Sequence, residues 1–347
     1  MTVTTPDNAL PPAPRASAGP APPRPPGSAR RTSSIDVTWL DGRGRDMTLV
    51  GRARDILTPP SGGSPIVIAE DGFRALLKPD RTILAIATEP ERPAAARLVG
   101  ERGGAHLRRV LDEAMPEERH AATPLHLILD DISGASLVAG WAWSQWTDDW
   151  LGGAPNSIDP GQLAKMLRNM EGVCIGFAPG SSALALGPNR GSAGGAPAPG
   201  LRNPDDPDGW HGFPVHEGVN MRRARRVDVT LGDAVTIDAA FQDSASRPDG
   251  GRMALHEYRL SATADPVSLR ITSIAAEPRV LPFPECPSAT RNLARLLGAP
   301  LMELRERVLE ELRATAGCTH LNDALRALVA VPPLLQHLLR RRIYAAA

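Results

Sequence analysis

Apolar and polar residues alternate in several short runs, with the period of two that a half-buried β-strand requires. "IDVTW" (35–39) and "TLVGRAR" (48–54) alternate in this way, and the Asp-Gly-Arg-Gly stretch between them predicts a hairpin turn. "FRALLKP" and "TILAIAT" predict a second hairpin that turns at "KPDR". "MALHEYRLSATAD" and "SLRITSIAA" predict a third, late in the chain. The period then changes. In "LMELRERVLEELRAT", Leu301, Leu304, Val308, Leu309 and Leu312 form one apolar helical stripe. "HLNDALRALVAV" predicts a further helix with Thr319 as its N-cap. Strand hairpins followed by helices predict an α+β fold of antiparallel sheet with helices packed on one face.

The pattern occurs twice. "RRTSSIDVTW" (30–39) matches "RRARRVDVTL" (222–231): two arginines, three residues, a β-branched residue, then Asp-Val-Thr. Each continues into an alternating segment ending in aspartate, Asp55 or Asp243. "AIATEP" (85–90) matches "SIAAEP" (273–278), and "ARLVGERGGAHLRRVLDEA" (96–114) matches "ARLLGAPLMELRERVLEEL" (294–312). Four matches in one order predict an internal duplication, so two pseudo-repeated units. Residues 1–29 are Pro/Ala-rich with few large apolar side chains, which predicts a disordered tail. Residues 178–209 are Gly/Pro-rich and predict a long loop or linker. The units are then 30–177 and 210–343.

Composition narrows the function. Lysine plus arginine and aspartate plus glutamate number 39 each, and aromatic residues are 4%. That balance argues against nucleic-acid and membrane-surface binding. No apolar run is long enough to span a bilayer, and no signal-peptide core is evident, so a cytoplasmic location is expected. Three widely spaced cysteines do not make a disulfide framework.

The candidate chemistry lies in the second unit. It has ten extra residues around "VLPFPECPSA", which bring in Cys286. "GCTHLND" places Cys318 and His320 at a helix start, and "MALHEYRL" carries His256 on a strand. Two thiols and two imidazoles suit zinc or an iron–sulfur cluster. His256, Cys286, Cys318 and His320 are therefore the expected metal ligands. In the first unit only His126 sits where His320 does. Cys174, in "GVCIGFAPG", reads as a buried strand cysteine outside this group.

Other clusters read as structural. Asp205, Asp206, Asp208, His211, His216 and Glu217 crowd "DDPDGWHGFPVHEG", which predicts a polar turn anchored by Trp210. Asp130 and Asp131 read as a carboxylate pair at a strand end. Trp141, Trp143, Trp146 and Trp150 read as core or as a seam between the units. Arg222, Arg223, Arg225 and Arg226 could hold a small anion, or pair with carboxylates such as Asp55 and Asp243.

"HEYRL", "LPFPECP", "GCTHLND", "DDPDGWH" and "MRRARRVDV" together resemble the bacterial family termed domain of unknown function 2889, over about residues 28–335. That resemblance implies no settled activity. The order hairpin, "ITSIAAEP", loop cysteine, "ARLLG", helix and helix-start cysteine is similar to the U-type iron–sulfur scaffold proteins. This likeness implies that Cys286 matches the loop cysteine, Cys318 the helix-start cysteine, and His256 the place of the hairpin cysteine. Glu285 stands where those proteins have glycine. The expected function is metal binding. The alternatives are a metal-independent enzyme acting on a small anionic or acyl substrate, and a regulatory or interaction module.

Overall fold

The computed structural model describes residues 16–147, 160–185 and 195–346. The fold is α+β, as the alternation predicts. The first half supplies β1 (Ser28–Thr38), β2 (Met47–Leu57), β3 (Ile66–Leu77) and β4 (Ile83–Glu89). Its helices are α1 (Ala105–Ala114), α2 (Pro116–His120) and α3 (Pro124–Val138), followed by α4 (Pro160–Met170). A short β5 (Ala196–Ala198) leads to the second half: β6 (Asn220–Leu231), β7 (Val235–Ser246), β8 (Arg252–Ala264) and β9 (Ile271–Val280). Then come α5 (Leu304–Glu311), α6 (Thr319–Arg326) and α7 (Val331–Ala346). No helix among the described residues is long and apolar enough to cross a membrane.

Among the described residues, nine strands form one antiparallel sheet in the order β4-β3-β2-β1-β6-β7-β8, with β5 and β9 sharing the far edge of β8. The halves meet at β1 and β6. There the register sets Arg30 against Asp228 and Arg222 against Asp36. The first arginine of each Arg-Arg pair therefore lies against the aspartate of the other half's Asp-Val-Thr, and both cross-strand pairs are ionic, at 2.5 and 2.6 Å.

The correspondence extends outward. Arg31 pairs with Asp55 on β2, and Arg223 with Asp243 on β7. Both are two-pronged: 2.6 and 2.6 Å in the first half, 2.8 and 2.9 Å in the second. The next strand bulges at the same point in each half, directly after Asp55 and directly after Asp243. Ile83 and Ile271 each exchange backbone bonds with the loop following the Leu-x-Gly motif, through Gly100 and Gly298. Both glycines have positive φ, 89° and 76°, a conformation that β-carbons resist.

A strand buried on both faces usually reads apolar. β1 and β6 are buried on both faces yet are rich in arginine, serine and aspartate. Paired charges make this tolerable, because each guanidinium meets a carboxylate. Two apolar clusters flank this polar centre on the helix side. One gathers Phe241, Tyr258, Leu293, Leu304 and Leu325; the other Leu49, Phe73, Leu107, Ile128 and Ile132.

Several expectations change. Residues 1–15 lie outside the described residues, but 16–27 are packed rather than disordered. Ala21 is buried with Trp210 and Ala224 on the outer face of the sheet. Arg24 grips Asp206 at 2.7 Å. Few large side chains are needed for this, because the segment is held by backbone and ionic contacts. Residues 186–194 of the expected linker, and Trp150, lie outside the described residues; the rest of the linker after 195 lies along the sheet. Asp130 and Asp131 sit on α3, not at a strand end. Apolar residues on both sides of them blur the helical period there. Leu309 is 51% exposed while Leu301, Leu304, Val308 and Leu312 are buried, because the run begins as a tighter turn and the stripe shifts. Cys174 precedes a 3₁₀ turn rather than lying on a strand.

Candidate metal centre

The site is built on β7 and β8 and capped by α6. Asp243 and His256 are cross-strand neighbours, and the bulge beside them fixes how they are aimed. Nδ1 of His256 lies 3.4 Å from Oδ2 of Asp243. The first turn of α6 brings Nε2 of His320 to 3.8 Å from the same oxygen. The two imidazoles stack with centroids 3.5 Å apart and planes 14° from parallel. One donor atom from each of these three residues fits within a span of 4.8 Å. Asp243 and His256 are sealed in, and the His320 side chain is 15% exposed. Trp141 and Phe241 flank the imidazoles, with ring centroids at 5.7 Å from His256 and 6.1 Å from His320.

Electrostatics hold Asp243 ionised. Burial opposes its charge, but Arg223 and the adjacent His256 outweigh burial and keep the carboxyl well below the usual range. Arg223 in turn reaches Asp323 of α6 at 3.0 Å, which ties the helix to the sheet behind the site. Burial, and then the neighbouring His256, pushes the pKa of His320 well below the ordinary imidazole value, so the ring is neutral and can act as a ligand. Nδ1 of His256 is buried and makes no well-formed hydrogen bond, although Asp243 Oδ2 lies 3.4 Å away. Such an orphaned nitrogen is costly unless something satisfies it. Tyr258 is likewise buried, its hydroxyl beside Cys318.

The cysteines lie beside this group. Cys318 is the N-cap of α6, with Sγ 3.9 Å from Nδ1 of His320. Burial, and then Cys174, pushes its thiol up to about 11, against the opposing pull of the Leu321 amide and Tyr258. Cys286 begins the 3₁₀ segment Cys286–Leu296; burial and the two other thiols push its pKa up. Of the four expected ligands, His256 and His320 stand in the close group and Cys318 adjoins it. Neither cysteine is within the 4.8 Å set; Asp243 takes that place. Asp243 was visible in the sequence as the end of a repeated alternating segment, but its pairing with Arg223 gave no hint of a second role. Cys174 joins Cys286 and Cys318 through a loop contact that no local pattern encodes.

The remaining clusters are internal pairings. Arg222, Arg223, Arg225 and Arg226 face Asp36, Asp243, Asp131 and Asp228 in turn. His211 is buried, its two nitrogens 2.9 and 2.7 Å from Thr32 Oγ1 and Ser34 Oγ. Asp206 pairs with Arg24. His126 lies 3.0 Å from Asp112, away from the candidate centre. Trp146 donates to Ser246 O at 2.8 Å, so the tryptophan segment is a seam between the halves.

Residues 221–332 match a family model described as protein of unknown function (DUF2889). The match begins in β6 and ends in α7, so it spans the half that holds the site, a shorter range than the motif resemblance covers. No curated protein matches the chain, and no solved structure does.

Proposed function

We propose that this is a metal-binding protein whose centre is formed by Asp243, His256 and His320, with Cys318 alongside. One observation carries the reading: two imidazole nitrogens and a carboxylate oxygen converge within 4.8 Å in the interior, and one of those nitrogens makes no well-formed hydrogen bond. Zinc bonds of about 2.0–2.2 Å in tetrahedral array would space neighbouring donors by roughly 3.3–3.6 Å. The Oδ2 separations of 3.4 and 3.8 Å are close to that. Two histidines and a carboxylate suit Zn²⁺ or Fe²⁺. The lone pairs of stacked rings run side by side, so occupation requires a turn of His320, the partly exposed ring. The sealed surroundings favour a fixed metal over turnover of a substrate. The corresponding register in the two halves supports an internal duplication, after which one half acquired the ligands.

The test is metal analysis of protein purified with and without oxygen, followed by zinc reconstitution of chelator-stripped protein. The expected result is bound metal that falls by one ion per chain in His256→Gln and in His320→Gln while the far-UV circular dichroism is kept. A stripped wild-type protein that takes up neither Zn²⁺ nor Fe²⁺ overturns the reading.

A further inference from the structure

We infer that Cys174, Cys286 and Cys318 form a second, separate site for a thiophilic d¹⁰ cation, next to the Asp–His centre and not dependent on it. These are all the cysteines of the chain, and all are free and buried. They come from three remote segments: the loop after α4, the start of the 3₁₀ segment that follows β9, and the N-cap of α6. Their meeting place is Gly176. A β-carbon there would lie 2.9 Å from Cys286 Sγ and 3.8 Å from Cys174 Sγ, so a bare glycine lets both sulfurs close in on the same backbone. The Ile175 amide donates to Gly317 O at 2.9 Å, fastening the Cys174 loop to the residue before Cys318. Asn292 donates to Ala316 O at 2.8 Å, holding the Cys286 segment against the same turn.

Tyr258, with no exposed surface, lies against the three thiols, its hydroxyl beside Cys318. The three sulfurs do not all stand within 4.8 Å of one another, so closure around an ion needs changes of χ1. In the binding step each thiol gives its proton to solvent as its sulfur–metal bond forms, and no electron is transferred. Soft thiolates select ions such as Cu⁺, Zn²⁺ and Cd²⁺ over harder cations.

Cadmium is the probe, because its thiolate charge-transfer absorbance reports sulfur ligation alone. Chelator-stripped, reduced full-length protein should develop this band, saturating at one ion and releasing two or three protons. Cys174→Ala and Cys286→Ala should each weaken cadmium binding by about tenfold or more. Gly176→Ala should do the same with all three sulfurs present. His256→Gln should leave the band intact. No band in wild-type protein, or full-strength binding in Cys174→Ala, overturns the inference. Loss of the band in His256→Gln also overturns it, in favour of one mixed centre. A cadmium band in protein whose histidine variants do not alter zinc content would sink the Asp–His reading and leave this one standing.

Discussion

The two halves carry the same buried ion pair at the same bulge and differ in what lies against it. In the first half, Arg31–Asp55 faces the half-buried Ala69 across the strand, and α3 is capped by Thr123, whose side chain accepts from the His126 amide at 3.2 Å. In the second, Arg223–Asp243 faces His256, and α6 is capped by Cys318, which makes no capping bond. Since the arginine–aspartate pair occurs in both halves, it belongs to the fold. His256, His320, Cys286 and Cys318 occur together in one half only, so they are what the shared fold does not need. The outer face breaks the correspondence as well. Thr32 and Ser34 hold His211, while Ala224 and Arg226 stand at the matching places on β6.

If the ion pairs are scaffold, removing either carboxylate should cost about the same. Asp55→Ala and Asp243→Ala each remove the two-pronged carboxylate from a buried guanidinium, a loss of about 3–5 kcal/mol, toward the lower end for Asp243→Ala because Arg223 keeps Asp323 at 3.0 Å. Urea unfolding of both variants measures this. A costly Asp55→Ala beside a nearly silent Asp243→Ala would break the comparison, and would make Asp243 a ligand without a structural share. A smaller effect is expected at Gly134 of α3, which passes directly over Arg223. A methyl there would collide with the guanidinium and lie 2.8 Å from Asp323. Gly134→Ala should destabilise by about 1–3 kcal/mol despite the better helix propensity of alanine. A stabilised variant would mean that the helices are not seated on this network.

A probe that leaves the covalent structure intact is pH. Burial, then Arg54 and Arg52, lowers the pKa of His211 to about 3. The unfolded chain takes up a proton near its ordinary value while the folded one does not. Stability from this group is therefore complete above about pH 6.5 and is lost as pH falls toward 3. The slope is about 1.4 kcal/mol per pH unit. His211→Gln should flatten the stability curve between these limits by one proton. An unchanged curve would show that the outer-face histidine is not the asymmetry it looks to be.

The sequence by itself determined the strands, the hairpins and the correspondence of the halves. Alternation and turn residues are local, and the Arg-Arg and Asp-Val-Thr motifs survive as text. It also isolated the half with the imidazoles and thiols, because Cys286, Cys318, His256 and His320 have no full counterpart elsewhere. Tertiary structure alone decided which partners meet. Antiparallel pairing of β1 with β6 made the arginine–aspartate motifs reciprocal. The register of β7 with β8 set Asp243, not a cysteine, beside His256. A loop fastened to Gly317 carried Cys174 to the other thiols. Periodicity reports which face a residue takes on its own element. It carries no record of what a distant element will lay against that face, since register, bulges and loop anchoring are fixed only when the whole sheet and its helices pack.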